Sequence, residues 1–107
     1  LSTADPPRRG EVWLVSFDPS IGGKPAIVLS NDTANALINR VQVVPVSSQV
    51  DRLYPAEASV SQGGQRRKAM ADQIMTVSKH RLLRRVGRID HEDLEGVVRA
   101  VRLQLGL

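Results

Sequence analysis

The sequence predicts an α+β protein that is mainly β. The expected form is a small, partly closed barrel of five to six short strands, with one short helix and one C-terminal helix. Three observations carry this reading. Short β-branched runs recur, each bounded by Gly, Pro, Asn or Asp. The apolar period changes to a helical one only in the last segment. A chain of 107 residues, 41% of them hydrophobic, suffices for one core, with roughly two-thirds of the unfolded surface buried.

Residues 1–8 read as a flexible tail. They lack the apolar stretch of a secretory leader, and Pro6 and Pro7 lead into the first strand. Residues 9–107 read as a single domain. The run "EVWLVSF", Glu11 to Phe17, predicts the first strand, and "PAIVLSN", a continuous apolar run from Pro25, predicts one buried on both faces. Asp32 or Thr33 is expected to cap a short helix that ends at Asn39. Val41 to Val46 predicts a third strand. Pro45 has no N–H to give, so that end belongs at an edge or bulge. "YPAEASVSQ" predicts a fourth strand and Gly63-Gly64 a hairpin turn. "RKAMADQIMTV" predicts a fifth strand, unbroken, and "RRVGRI" a sixth. In "DHEDLEGVVRAVRLQL" the apolar face is Leu94, Val97, Val98, Val101 and Leu105. Asp90 is its expected cap, and Glu92, Asp93 and Glu95 suit its positive end.

Composition narrows the chemistry. Fifteen Lys and Arg against eleven Asp and Glu give a net charge of +4, which suits nucleic acid or an acidic partner. The chain has no cysteine, so it has no disulfide, no thiolate nucleophile and no zinc site of the cysteine type. This fits a reducing compartment, and a cytoplasmic location is expected. No apolar run reaches the roughly 18 residues of a membrane span. His80 and His91 lack metal-ligand spacing, no nucleophile elbow or phosphate-binding loop is present, and neither metal nor cofactor is expected. Two stretches could carry chemistry. In Gly22-Gly23-Lys24 the glycines make either a tight turn or a backbone that a phosphate can approach, with a cation beside it. Ser47, Ser48 and Gln49 leave the third strand, where they can cap a turn or hold phosphate oxygens. The basic clusters Arg66–Lys68 and Lys79–Arg88 are solvated faces or phosphate contacts. Without interleaved aromatics a base-stacking platform is not expected.

The blocks "RRGEVWLVSFDPSIGG", "KPAIVLSND", "VQVVPVSSQ" and "MADQIMTVSKHRLLRRVGRI", with a terminal helix ending "LQLGL", together resemble the MazF/PemK toxin family. The resemblance implies an SH3-like barrel and a homodimer. It also implies a metal-independent endoribonuclease that cuts single-stranded RNA through the ribose 2′-OH, leaving a 2′,3′-cyclic phosphate. A cognate antitoxin with an acidic, flexible tail is implied as partner. The catalytic pair would be Ser47 and the residue before Pro25. That residue is Lys24 here, where the family has Arg, and the preceding loop is several residues shorter and lacks an acidic position. Either the loop is short in the protein, or this sequence lacks residues of it; the preserved strand pair favours the latter. Gly22, Gly23, Pro25, Ser48, Gln49, Gln73 and Arg81 would contact RNA, and Asp72 would be structural. Met75 stands where several members carry a basic residue. Two other readings are a gyrase-inhibiting toxin of the CcdB type and a non-catalytic nucleic-acid-binding barrel. The first sits poorly with a chain whose only Trp is Trp13.

Overall fold

The computed structural model describes residues 5–107. Seven strands and two helices follow in the order β1 (Glu11–Val15), β2 (Lys24–Val28), α1 (Asp32–Leu37), β3 (Arg40–Ser47), β4 (Glu57–Gln62), β5 (Gln65–Met70), β6 (Met75–Ser78), β7 (Leu82–Arg88) and α2 (His91–Leu105). The strands form one antiparallel sheet in the order β4-β5-β3-β2-β1-β7, with β6 also on β3. The sheet curls into a half-barrel. Its two ends approach where a Cβ on Gly87 of β7 would lie 4.0 Å from Gln62 of β4.

The expected fifth strand is two strands, which raises the count to seven. A single 3₁₀ turn, Ala71–Gln73, separates β5 from β6. Both strands lie on the same edge of β3: β6 pairs with Arg40 to Val43 and β5 with Val46 and Ser47. The break falls opposite Pro45. The bond from Leu29 N–H to Gln42 O fixes the alternation, so residues 42 and 44 face β2 while 43 and 45 face away. Pro45 therefore offers no donor to a strand on that edge, and the neighbouring chain detours between Met70 and Met75. The expectation that Pro45 marks an edge or bulge is met in this form. The Gly63-Gly64 hairpin forms as expected: Gln62 pairs with Gln65, and both glycines have positive φ, 63° and 78°.

Two apolar clusters lie on opposite faces of β2 and β3. One is covered by α2, whose Val97, Ala100 and Val101 join Val12, Ile27, Val44 and Val60. The other contains Val15, Ala26, Val28, Val41, Val43 and Val77, flanked by Trp13, Phe17 and Leu82. Alternate residues of β2 and β3 point to different clusters, which is why both strands read as unbroken apolar runs.

Asp90 caps α2 as expected, its Oδ1 accepting from Asp93 N–H at 2.8 Å. The apolar face differs in one place. Leu105 is exposed, and Ala100 is buried instead. The cap of α1 is Asn31 rather than Asp32 or Thr33, because Asp32 accepts from the Arg9 N–H at 2.7 Å. Of the expected tail, residues 1–4 lie outside the described residues. Pro7 is buried, and Arg8 N–H donates to Glu11 Oε1 at 2.8 Å. Among the described residues, no helix is long and apolar enough to cross a membrane.

Candidate active site

A cleft of about 460 Å³ opens at one end of the β2–β3 pair. It is lined by Phe17, Lys24, Pro25, Pro45, Val46, Ser47, Ser48, Gln49, Met70, Gln73 and Met75. Sheet register builds its centre. Ala26 pairs with Pro45 at the end of the β2–β3 ladder, and Lys24 and Ser47 each lie two residues further along their strands. The conformationally stiff residues Pro25 and Pro45 hold this end. Lys24 is exposed, and its ammonium forms no ion pair among the described residues. Ser47 is half-buried; its Oγ accepts from Gln49 N–H at 3.1 Å and keeps its own proton free to donate. The turn-capping reading of Ser47 is therefore correct, and it leaves the hydroxyl able to serve a phosphate as well.

Six of the nine expected site residues meet here: Lys24, Pro25, Ser47, Ser48, Gln49 and Gln73. Gly22, Gly23 and Arg81 do not line the cleft. Gly22 turns the chain at φ 88°. Gly23 is needed for close packing, since a Cβ there would lie 3.0 Å from both Leu14 Cβ and Leu83 Cδ1. Arg81 anchors the β1–β2 connection: its Nη1 donates to Ser16 O at 3.0 Å, and its own carbonyl accepts from Ser16 N–H at 2.8 Å. That connection closes through a turn in which Asp18 accepts from the Ser20 N–H and hydroxyl. These bonds hold the Asp18 carboxyl below its ordinary value.

Sequence reasoning missed Phe17, Pro45, Val46 and Met70 as cleft residues. Pro45 carried the usable signal, because a missing donor in β3 forces the partner strand to leave and brings Met70, Gln73 and Met75 over the opening. Gln73 Nε2 lies 3.5 Å from Met70 Sδ. No cluster of three or more His, Asp or Glu side chains converges among the described residues.

Away from the cleft, Glu11 is buried and pins β1 to its neighbours. Its Oε1 accepts from Arg8 N–H and Trp13 Nε1, and its Oε2 from Arg85 Nη1 at 3.0 Å. Burial raises the Glu11 pKa, but the three hydrogen bonds and the Arg85 charge together outweigh it and leave the carboxyl below 4.5.

Fold and cleft define a small basic half-barrel whose cleft is lined by a cation, Lys24, and a hydroxyl, Ser47, groups suited to a phosphodiester. The chain belongs to the PemK-like, MazF-like toxin family of type II toxin–antitoxin systems, whose model matches residues 8–105. It is 40% identical to Endoribonuclease MazF9 of Mycobacterium tuberculosis, over 94% of this chain and 97% of that protein. That alignment spans 114 positions against the 107 residues here, so the relative carries residues with no counterpart in this chain. A solved endoribonuclease from a mycobacterial species superposes with a TM-score of 0.84 at 22% identity, covering 99% of this chain and 97% of that one. A mycobacterial endoribonuclease solved with its cognate antitoxin superposes at 0.82 and 25% identity, covering 94% and 96%.

Proposed function

We propose that this chain is the endoribonuclease toxin of a type II toxin–antitoxin pair and cuts single-stranded RNA in the Lys24–Ser47 cleft without a metal. The observation that supports the site is the cleft that Lys24 and Ser47 both line. The family and the endoribonuclease relatives support an enzyme over a gyrase-directed or binding-only barrel.

The reaction is a transesterification. The ribose 2′-oxygen attacks the adjacent phosphorus, the bond from phosphorus to the 5′-oxygen breaks, and a 2′,3′-cyclic phosphate and a 5′-hydroxyl remain. Negative charge grows on the phosphoryl oxygens as the phosphorane forms. Lys24, exposed and free of protein counter-ions, supplies positive charge there. The Ser47 hydroxyl donates to a phosphoryl oxygen or relays a proton, while Gln49 N–H fixes its orientation. The 2′-proton must leave and the 5′-oxygen must gain one. Lys24, the ionisable side chain lining the cleft, takes the charge-stabilising role, and the Ser47 hydroxyl relays protons between solvent and the 2′- and 5′-oxygens. Ser48, Gln49 and Gln73 offer polar edges to neighbouring nucleotides. Pro25, Phe17, Met70 and Met75 offer them an apolar wall.

The chain acts as a homodimer. Its partner is a cognate antitoxin whose acidic, flexible segment covers the basic RNA surface.

Purified protein incubated with long single-stranded RNA in excess EDTA is expected to give sequence-selective cuts with cyclic-phosphate ends. Lys24→Ala and Ser47→Ala are expected to slow them. Undiminished cutting by both variants would move the site elsewhere. An intact RNA would remove the enzyme reading.

A further inference from the structure

The chain has one tyrosine, one tryptophan and one phenylalanine. Trp13 is tied to Glu11 and Phe17 edges the cleft. Tyr54 lies outside the cleft, in the connection between β3 and β4, and is 52% exposed. An aromatic ring so exposed on a connection would ordinarily sample many positions. This one is held from three directions. Its N–H donates to Glu57 Oε1 at 2.9 Å, its hydroxyl accepts from Arg52 Nη1 at 3.1 Å, and its ring centroid lies 5.8 Å from both Lys68 Nζ and Arg52 Cζ.

Lys68 explains the rigidity. It is about nine-tenths buried, and its Nζ donates to both Glu57 Oε1 and the Arg52 carbonyl, each at 3.1 Å. A buried ammonium needs such partners, and satisfying it fixes the connection over β5. The ring lies beside this covered ammonium and still leaves about half of the residue exposed. The register then ties this arrangement to the cleft, because Lys68 of β5 pairs with Ser47 of β3. Tyr54 therefore packs on the β5 residue that pairs with the candidate catalytic serine.

Resting on the endoribonuclease reading, we propose that Tyr54 and Arg52 form a second RNA subsite beside the cleft. The exposed part of the Tyr54 ring stacks on the base of a nucleotide flanking the scissile step. Arg52, whose guanidinium uses one N–H on the tyrosine hydroxyl and retains others, takes that nucleotide's phosphate. A flat apolar ring next to a fixed guanidinium matches the two chemical halves of a nucleotide. Lys68 and Glu57 position the pair without touching RNA.

The probe is a short single-stranded RNA, 2′-O-methylated throughout so that it cannot be cut, carrying 2-aminopurine and an anisotropy label. Bound to the wild-type protein, 2-aminopurine fluorescence is expected to be quenched by stacking. Tyr54→Leu is expected to lose the quench and weaken binding about tenfold, while Tyr54→Phe keeps both. Arg52→Gln is expected to keep the quench and lower the salt slope of binding by about 0.7. On cleavable RNA, Tyr54→Leu should raise KM and leave kcat unchanged. Equal binding and quenching by wild type and Tyr54→Leu would overturn the subsite, even if the wild type cuts RNA. Tyrosine-dependent quenching by a wild type that cuts nothing would uphold the subsite and overturn the endoribonuclease reading instead. Should Tyr54→Leu fail to fold, quenching unchanged in Tyr54→Phe but enhanced in Tyr54→Trp would still support stacking, and no quenching in either would end it.

Discussion

In the proposed mechanism, Lys24 brings charge to the phosphate but not the shape that a phosphate prefers. An ammonium is a point donor, whereas a guanidinium forms two parallel bonds to a phosphate. Lys24→Arg is therefore expected to raise kcat/KM by about tenfold, the worth of one added charge-assisted bond. Lys24→Ala is expected to lower it about 100-fold or more, by the loss of transition-state charge stabilisation. Steady-state cleavage of one labelled RNA checks both, and a Lys24→Arg variant slower than wild type would show that lysine has a proton-transfer role that arginine cannot fill. Side chains at this scale were legible where strand position alone fixes them. Lys24 and Ser47 end paired strands, so the sequence pattern placed both. Gly23 and Arg81 were not legible as structural residues, because their partners, Leu14, Leu83 and Ser16, come from other parts of the chain. Gly23→Ala tests the packing role. Its new methyl would press on Leu14 Cβ and Leu83 Cδ1 at 3.0 Å, and because Leu83 is exposed and can partly give way, a loss of about 1 kcal/mol, the low end of overpacking, is expected. A urea midpoint that stays unchanged would mean that the β1–β2 connection shifts freely to accommodate it.

Elements were predicted well where local signals end them and poorly where tertiary partners do. Asp90 and the Gly63-Gly64 pair mark boundaries through bonds and dihedrals within a few residues, so both were readable. The break between β5 and β6 was not, because its cause is Pro45 on a different strand. The outermost strand, β7, presents a further case. It is held to β1 by backbone pairing interrupted by two register shifts, and the side-chain tie from Arg85 to buried Glu11 reinforces that junction. With its folded pKa lowered, the Glu11 carboxylate contributes stability that is present above its unfolded value of about 4.5 and is lost as pH falls through the folded value. Urea midpoints measured downward from neutral pH are expected to fall below pH 4.5, and Glu11→Gln is expected to flatten part of that fall while lowering stability at neutral pH. A variant as acid-sensitive as wild type would assign the acid response to other carboxylates.

At the scale of the whole molecule, the basic balance that the sequence displays acquires a direction from the fold. A net charge of +4 says only that phosphates or acidic chains are attracted. The sheet adds geometry, because the cleft opens at the ends of β2 and β3 with Lys24 on its rim, while β7 exposes Arg84, Arg85 and Arg88 away from the cleft lining. RNA held chiefly through phosphates releases counter-ions, so the logarithm of its affinity falls linearly with the logarithm of salt, by about 0.7 per phosphate contacted on a single strand. For about three such contacts, raising salt from about 50 to 200 mM lowers affinity by roughly 20-fold. The chemical step takes place inside the cleft on bound RNA. KM is therefore expected to rise with salt while kcat at saturating RNA stays nearly constant. Titrating salt against both parameters separates attraction from chemistry. A fall in kcat of the same size as the rise in KM would place the salt-sensitive cations at the reacting phosphate rather than along the flanking strand, and Lys24 would then be the first of them to replace.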